Sequence, residues 1–274
     1  MTKLSIGDVA VVTGAARGIG LGLAQAFATR GLRVVIADID PDALEVARAE
    51  LAATGAEVLA VPTDVSRADS VFELADATRA RFGTFDVICN NAGIGNDFSA
   101  VWEKPLEDWE RMVSVNLWSV VHGIRAFVPH LVEKNSGHVL NTASMLGLAV
   151  MSGEMGDYAM AKFGVVGLTE TLSLDLEKYA PGVRATILCP GFIRTPLAEA
   201  QIAKAGGATA TGTTDESAWG AALEPADAAA VTLHAIEADL LYALPADDAQ
   251  GLIQPRFDRL QCAIEQQAPL RQSV

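Results

Sequence analysis

Short runs of β-branched residues alternate with longer segments of helical periodicity, and this alternation constrains the fold more than any other feature. The six clearest runs and a weaker seventh cover residues 9–13, 33–37, 57–61, 85–90, 138–142, 184–189 and 240–244. Helical patterns lie between them at 18–30, 41–53, 67–81, 107–134, 157–179 and 225–238. Strands that are apolar along their whole length, each followed by a helix, are typical of a parallel sheet covered on both faces. Because crossovers are right-handed, the pattern predicts a doubly wound α/β sheet of about seven strands.

The chain is predicted to form one domain over residues 1–245, followed by a C-terminal helical extension over residues 246–274. Four apolar residues recur at helical spacing in the extension, namely Ile253, Phe257, Leu260 and Ile264. They predict an amphipathic helix from about Pro255, which either closes the chain's own pocket or packs on a neighbour. The Gly-, Ala- and Thr-rich stretch 203–218 is predicted to be a loop, within a substrate loop of about 192–220.

Charge and composition argue against several classes of function. Acidic residues outnumber basic ones by 34 to 20, and a net charge of −14 disfavours nucleic acid and anionic membranes as partners. No apolar run approaches the ~18 residues that span a bilayer, and the N-terminus lacks a signal-peptide pattern. Of the three cysteines, Cys89 and Cys189 fall in apolar strands, as expected of buried free thiols. No histidine pair or CxxC has metal-ligand spacing, so we predict a reduced, cytoplasmic protein without a metal.

A glycine-rich loop joins the first strand to the first helix. In "TGAARGIG" (13–20), Gly14, Gly18 and Gly20 stand where the strand turns sharply into the helix, and Arg17 and Ile19 share the loop. Glycine permits positive φ there and lets a pyrophosphate approach the backbone, while the helix N-terminus offers free N–H groups. Because the loop follows a strand and opens a helix, it predicts a dinucleotide site of the Rossmann type.

The end of the second strand indicates which dinucleotide binds. Asp38 lies 18 residues after Gly20, where a carboxylate accepts hydrogen bonds from the adenosine ribose hydroxyls. Asp40 precedes a proline and is predicted to be the N-cap of the second helix. Arg17 favours a 2′-phosphate, but repulsion from Asp38 should outweigh it. NAD is therefore the predicted cofactor, with NADP as the less favoured alternative.

Tyr158 and Lys162 lie four residues apart in a predicted helix, so their side chains share one face. A phenol beside an ammonium has a pKa drawn down from about 10, which suits an acid–base catalyst. Tyr and Lys recur at this spacing by chance on many helices, however, so the pair alone does not decide between packing and chemistry.

Seven short motifs occur in an order that resembles the single-domain branch of the short-chain dehydrogenase/reductase family. They are "TGAARGIG" (13–20), "DV" (64–65), "NNAG" (90–93), Asn116 in "SVNLWS", Ser144 in "NTAS", "YAMAK" (158–162) and "PGFIRT" (190–195). The resemblance covers roughly residues 5–245. It implies a nicotinamide-dependent oxidoreductase that assembles as a homotetramer or homodimer.

The resemblance also implies a role for each matching residue. Tyr158 would be the general acid or base, Lys162 would lower the pKa of its phenol and bind the nicotinamide ribose, and Ser144 would hold the substrate oxygen. Asn116 would support a water chain that leads from Lys162 to solvent. The remaining cofactor-binding residues would be Asp64 and Val65 at the adenine, Asn91, Ala92 and Gly93 along the cleft, and Gly191, Ile193 and Thr195 near the nicotinamide. Thr195 is also a candidate N-cap for the short helix that follows it.

Two features depart from the family pattern. Thirteen residues separate Ser144 from Tyr158, one more than the commonest spacing, which predicts a bulge within residues 148–157 and leaves Ser152 as a distant competitor for Ser144. The second departure is the C-terminal extension, which replaces the frequent "DGG" ending.

Together these features predict an NAD-dependent enzyme that interconverts a secondary alcohol and a ketone. A non-catalytic dinucleotide sensor on the same fold is the first alternative, and it has no need of the Ser144, Tyr158 and Lys162 set. An epimerase or dehydratase of the longer branch of the family is the second, and that branch carries a larger C-terminal substrate region.

The substrate is predicted to be a small molecule that is bulky and largely apolar. The side chains expected near the nicotinamide are Ile94, Phe98, Met145, Leu146, Met151, Met155, Phe192, Leu197 and Trp219. Methionine and aromatic side chains make an adaptable apolar wall. An anionic substrate would need a fixed cation there, for which Arg194 is the only evident candidate.

Overall fold

The computed structural model describes residues 4–204 and 222–271, and a parallel sheet of seven strands forms the centre of this part. The strands are Val9–Thr13 (β1), Arg33–Asp38 (β2), Val58–Pro62 (β3), Val87–Asn90 (β4), Gly137–Thr142 (β5), Val183–Leu188 (β6) and Tyr242–Ala243 (β7). Their order is β3-β2-β1-β4-β5-β6-β7, and every neighbouring pair is parallel. The predicted doubly wound sheet is confirmed. Its order reverses between β1 and β4, so the carboxyl ends of these strands flank the crevice in which such sheets bind ligands.

Helices cover both faces of the sheet. They are Gly18–Thr29 (α1), Pro41–Ala53 (α2), Ala68–Phe82 (α3), Leu106–Val113 (α4), Ser119–Lys134 (α5), Gly156–Tyr179 (α6), Pro196–Lys204 (α7), Pro225–Glu237 (α8) and Ala249–Arg271 (α9), with a 3₁₀ turn at Met145–Gly147. One core cluster joins β1 and β2 to Leu23 and Phe27 of α1 and to Leu233 of α8. On the opposite face, Phe127 of α5 meets Phe85 edge-on, with ring centroids 4.8 Å apart.

The helix predicted over 107–134 is present, from Leu106 to Lys134, but it is not α-helical throughout. A π-helical turn, Ser114–Trp118, interrupts it between α4 and α5. At its centre the buried Asn116 side chain bonds to both backbone groups of Ile94, accepting from the amide at 2.8 Å and donating to the carbonyl at 2.9 Å. A wider turn of this kind is often found at functional sites, and only the tertiary contact with Ile94 reveals its purpose.

The C-terminal helix is confirmed, but it begins at Ala249 rather than near Pro255. The reason is an N-cap, since the Asp248 carboxylate accepts a hydrogen bond from the Gly251 amide at 2.8 Å. Leu252 and Ile253 of its first turns pack on the core beside the 3₁₀ turn. Three apolar residues farther along are about half exposed: Phe257 (55%), Leu260 (48%) and Ile264 (56%). The apolar stripe therefore does not close the chain's own pocket.

The loop prediction for 203–218 is wrong at Ala203 and Lys204, which end α7, and its remaining residues 205–218, with Trp219, lie outside the described ranges. Within those ranges, no helix combines the length and apolar character needed to cross a membrane.

Candidate active site

The glycine loop after β1 forms an open cradle. Gly14 and Gly18 have positive φ, 63° and 57°, a region that favours glycine. A Cβ at Gly14 would lie 2.7 Å from Cα of Ala92, and one at Gly20 would lie 2.1 Å from the carbonyl oxygen of Gly14. No side chain fits at these two positions. Since α1 begins at Gly18, its unpaired N–H groups lie at the same loop, as a pyrophosphate site requires.

A cleft runs from this loop along the carboxyl ends of β1, β4 and β5. Fourteen of the predicted cofactor-binding residues line it: Gly14, Arg17, Gly18, Ile19, Gly20, Asp38, Asp64, Val65, Asn91, Ala92, Gly93, Tyr158, Lys162 and Thr195. Gly191 and Ile193 instead line a neighbouring cavity, whereas Pro190 before them and Thr195 after them border both the cavity and the cleft. Thr63, Val115 and Thr142 also border the cleft, and nothing in their sequence context distinguished them from ordinary residues at the ends of elements.

Asn91 joins three strands at the floor of the cleft. Its Nδ2 donates to the Thr13 carbonyl at 3.0 Å, and its Oδ1 accepts from the Thr142 hydroxyl at 3.2 Å. The backbone N–H of Asn91 donates to the Thr13 hydroxyl at 3.0 Å. Every polar group of the side chain is used, so Asn91 holds the cleft in shape.

At the outer end of the cleft, backbone amides orient the Asp38 carboxylate. It accepts from Ala16 N at 3.1 Å and from Asp40 N at 3.2 Å, which leaves lone pairs for ribose hydroxyls. Asp64 is held similarly, because its Oδ1 accepts from the Ser66 hydroxyl at 2.6 Å and from the Ser66 amide at 3.0 Å.

Asp40 is the N-cap of α2, as predicted, and it accepts from Ala43 N at 3.1 Å. It also forms an ion pair with Arg17 that sequence reasoning missed. The Ala43 amide, followed by the Arg17 guanidinium, lowers the pKa of the Asp40 carboxyl. The charge of Arg17 is therefore matched by a neighbouring carboxylate at the edge of the cleft.

Helix α6 brings Tyr158 and Lys162 to the centre of the site. Lys162 Nζ lies 5.6 Å from the centroid of the Tyr158 ring and donates to the Thr142 carbonyl at 2.9 Å. The Ser144 hydroxyl is near enough to Tyr158 to lower the pKa of its phenol. The predicted set of Ser144, Tyr158 and Lys162 is thus assembled from β5 and α6.

Burial dominates the pKa values of this set. Burial raises the pKa of Tyr158, while the neighbouring Ser144 hydroxyl acts in the opposite direction. Burial also lowers the pKa of Lys162 to about 8. The role of Lys162 in lowering the pKa of the phenol stays a prediction, and in the protein alone desolvation is the largest influence on the pKa of Tyr158.

Asn116 lies near Lys162 but lines neither the dinucleotide cleft nor the neighbouring cavity. A Cβ on Gly93 would lie 3.1 Å from Asn116 Oδ1 and 3.7 Å from Lys162 Nζ, so the two side chains flank Gly93. The water-relay role of Asn116 stays a prediction. Ser152, the alternative to Ser144, lines neither the cleft nor the neighbouring cavity, and its hydroxyl donates to Met155 Sδ at 3.6 Å. Nearby Glu154 has φ 63°, the local distortion expected of a bulge in this segment.

An apolar cavity of about 190 Å³, partly open to solvent, adjoins the cleft at Tyr158 and Pro190. Six of the predicted substrate residues line it: Phe98, Met145, Leu146, Met155, Phe192 and Leu197. Two other residues of the predicted set do not line it, because Ile94 borders the dinucleotide cleft and Met151 packs against a core cluster. Arg194 does not line the cavity, and its Nε lies 2.7 Å from Glu224 Oε1.

Sequence reasoning missed the residues that close this cavity on its far side. Gly95 and Asn96 follow the "NNAG" motif, and Ala198, Gln201 and Ile202 come from α7. Thr195 accepts from Ala198 N at 3.1 Å and so begins α7, as its role as a candidate N-cap predicted. Within residues 4–204 and 222–271, no three His, Cys, Asp or Glu side chains are grouped as a metal site would need.

Comparison with known proteins places the chain in a family. The sequence profile of the short chain dehydrogenases matches residues 8–206. The chain is 40% identical over 251 residues to 1-deoxy-11-beta-hydroxypentalenate dehydrogenase of Streptomyces exfoliatus, covering 91% of this chain and 86% of that protein. It is 37% identical over 236 residues to 3beta-hydroxysteroid dehydrogenase 2 of Eggerthella lenta, covering 81% and 89% respectively. The crystal structure of a short chain dehydrogenase/reductase from Burkholderia phymatum in complex with NAD superposes with a TM-score of 0.86 at 34% identity, covering 96% and 97%.

The chain belongs to the short-chain dehydrogenase family. It is an oxidoreductase of small-molecule alcohols and ketones that takes a nicotinamide dinucleotide. The glycine cradle and the oriented Asp38 carboxylate fit that group, since they offer the backbone approach and the ribose acceptor it requires.

Proposed function

We propose that this protein is an NAD-dependent dehydrogenase that interconverts a secondary alcohol and a ketone on a bulky, apolar substrate. One observation carries the proposal. Tyr158 is, among the described residues, the only titratable side chain that borders both the dinucleotide cleft and the apolar cavity. A proton donor at the junction of the two is where a carbonyl held in the cavity would meet a bound nicotinamide.

In this proposal Ser144 and Tyr158 bind the substrate oxygen together, and Tyr158 transfers the proton to or from it. A bound nicotinamide would supply or accept the hydride. Lys162, bound at the Thr142 carbonyl, would donate its remaining hydrogen bonds to the nicotinamide ribose and restrict where it lies. The apolar cavity walls keep water away from the reacting carbon.

The preference for NAD over NADP rests on Asp38 and Asp40. The Asp38 carboxylate would repel a 2′-phosphate, and Arg17, the group that would attract one, is paired with Asp40. The proposal for the substrate rests on the cavity wall, where methionine, phenylalanine and leucine side chains predominate. Relatives named for a hydroxysteroid and for a hydroxypentalenate agree with a substrate of that bulk.

The test is nicotinamide absorbance with a homologous series of alkyl methyl ketones. Efficiency should rise along the series, because each buried methylene contributes up to about 0.8 kcal/mol. Tyr158→Phe should remove nearly all turnover and leave NADH binding intact, whereas Tyr179→Phe, an exposed tyrosine of the same helix, should change neither. Tyr158→Phe activity above a tenth of the wild-type rate would contradict the proposal, and so would a flat series. NADH binding without turnover of any alcohol or ketone would favour the sensor instead.

We further propose a homotetramer built through α4–α5 and α6, in the cytoplasm. Exposed apolar side chains on these helices, Trp118 (52%) and Leu174 (67%), support the assembly. The buried free thiols Cys89 and Cys189 support a reducing compartment. Light scattering at micromolar concentration checks the assembly, and a stable monomer would refute it.

A further inference from the structure

Two amide oxygens stand out in the apolar cavity because no described group satisfies them. Asn96 and Gln201 both line the cavity, and Asn96 Oδ1 and Gln201 Oε1 are buried without a hydrogen-bond partner. Buried polar atoms of this kind are rare in folded proteins and find a donor in an ordered water or a ligand. Two of them bordering one otherwise apolar cavity indicate a polar subsite.

The orientation of the Asn96 amide is set by its neighbours. Asn96 is 1% exposed, and its Nδ2 donates to the Glu154 carbonyl at 3.1 Å. If the amide were flipped, its oxygen would face that carbonyl oxygen. The free atom is therefore the acceptor Oδ1, which needs a donor.

Gln201 reaches the same region from α7. A Cβ on Gly95 would lie 2.0 Å from Gln201 Nε2 and 2.4 Å from Gln201 Cδ. The Gln201 side-chain amide therefore packs directly against the backbone of Gly95. Since Asn96 is the next residue, the amides of Asn96 and Gln201 belong to one stretch of the cavity wall. Only glycine at position 95 leaves room for this arrangement.

We propose that Asn96 and Gln201 form a donor-binding subsite, which selects substrates carrying a hydroxyl or amide N–H group away from the reacting carbon. The inference rests on the proposed function, because it names a second recognition point for the same substrate. The class it specifies is a neutral, apolar-bodied hydroxy ketone or diol.

Charge considerations exclude a carboxylate at this subsite. Amide oxygens repel anions, and no Lys, Arg or His is found among the described residues that line the cavity. The segment 205–221 contains none of these residue types either. A hydroxyl donates to an amide oxygen without that cost, whereas a methyl ether leaves the oxygens unpaired.

The probes are benzylacetone, its ortho-, meta- and para-hydroxy derivatives and the methyl ether of each. For at least one isomer, wild-type kcat/KM should favour the hydroxy ketone over its ether by about 10- to 100-fold. Gln201→Met, which keeps length and removes the acceptor, should bring that ratio close to one. Gln201→Glu retains acceptor oxygens and should retain the preference.

The same ratio is also measured by calorimetric binding to the Tyr158→Phe enzyme in complex with NADH. Failure of the proposed function, seen as no turnover of benzylacetone, is thereby separated from failure of the subsite. A ratio close to one for all three isomers in both assays would overturn the proposal, as would a ratio that Gln201→Met leaves unchanged.

Discussion

The dinucleotide cleft and the apolar cavity share Tyr158 but are built in different ways. Backbone makes most of the cleft: glycines without room for a Cβ, strand ends, and amides that orient Asp38. Side chains make the cavity, and they come from the segments after β4, β5 and β6 and from α7. One region is fixed by the geometry of the sheet, and the other by which loops meet above it.

This difference predicts unequal tolerance to substitution. A backbone cradle cannot adjust to an added methyl group, because the nearest atoms belong to other strands and loops. A wall of methionine and aromatic side chains can repack around a changed neighbour. Related enzymes on this framework can therefore share a cofactor while accepting different substrates.

The largest expected effect comes from filling the cradle. Gly20→Ala places a Cβ where the Gly14 carbonyl oxygen lies 2.1 Å away, so the loop must shift. NADH affinity, measured by fluorescence titration, should fall by about 100-fold or more, since several backbone N–H contacts to the pyrophosphate are displaced together. Gly167→Ala is the matched control, because its Cβ would meet no atom within 4 Å. Comparable losses in both variants would contradict a cradle-specific effect.

A second test asks whether both regions depend on the same sheet. His138 of β5 is fully buried beside the Thr186 hydroxyl, and burial lowers its pKa from the usual 6.5 to about 3. Below pH 6.5 His138 is therefore protonated in the unfolded chain, whereas in the folded protein it stays neutral down to about pH 3. His138 stabilises the fold above that pH, and its contribution is lost as the pH falls.

Between pH 7 and pH 5 the loss from His138 should be about 2 kcal/mol. Urea unfolding of His138→Gln should show a pH dependence smaller by that amount, even though the variant is less stable at pH 7. Cofactor and substrate binding should be lost together as the wild type unfolds. Identical pH dependence in the two proteins would rule out this role of His138.

A third test concerns a part of the cleft that depends on side chains. Asp38→Ala should lower the NAD-to-NADP ratio of kcat/KM by about tenfold, as repulsion of the 2′-phosphate is removed. Asp40→Ser keeps an N-cap oxygen for Ala43 but frees Arg17, so it should shift the ratio in the same direction. Adding Arg17→Gln to Asp40→Ser should reverse that gain. A wild type that already prefers NADP would mean that Arg17 outweighs Asp38.

The smallest effect is expected from the cavity wall. Phe98→Ala should reduce kcat/KM for an apolar ketone by about three- to tenfold, because neighbouring side chains fill part of the space. The NADH dissociation constant should stay within twofold of the wild-type value. Phe72→Ala, at an exposed phenylalanine of α3, serves as the control. A large loss of cofactor affinity in Phe98→Ala would show that the two regions are not independent.

The dinucleotide cleft, which backbone geometry builds, could be predicted from the sequence better than the apolar cavity, which side chains from distant segments build. The tight turn at Gly14 and the N-cap at Asp40 are confirmed, and Asp38 borders the same cleft as Gly14, because these signals are local: a strand, a tight turn and a helix start within a few residues of one another. The sequence could not show that Ile94 and Met151 lie outside the apolar cavity, because an apolar residue in a loop suits a pocket and a core equally well. The spacing of Tyr158 and Lys162 shows that they share a helix face, but it does not show that burial raises the pKa of Tyr158 or that the Thr142 carbonyl binds the Lys162 ammonium.

By itself, the sequence determined the order of strands and helices, the phosphate cradle and the pairing of Tyr158 with Lys162 on one helix face. Periodicity, glycine placement and caps act through backbone geometry over a few residues, so they can be identified along the chain. Only the tertiary structure decided that Asn96 and Gln201, 105 residues apart, border one cavity, and that Arg17 lies beside Asp40. Such contacts depend on how distant loops pack, and no local preference encodes them.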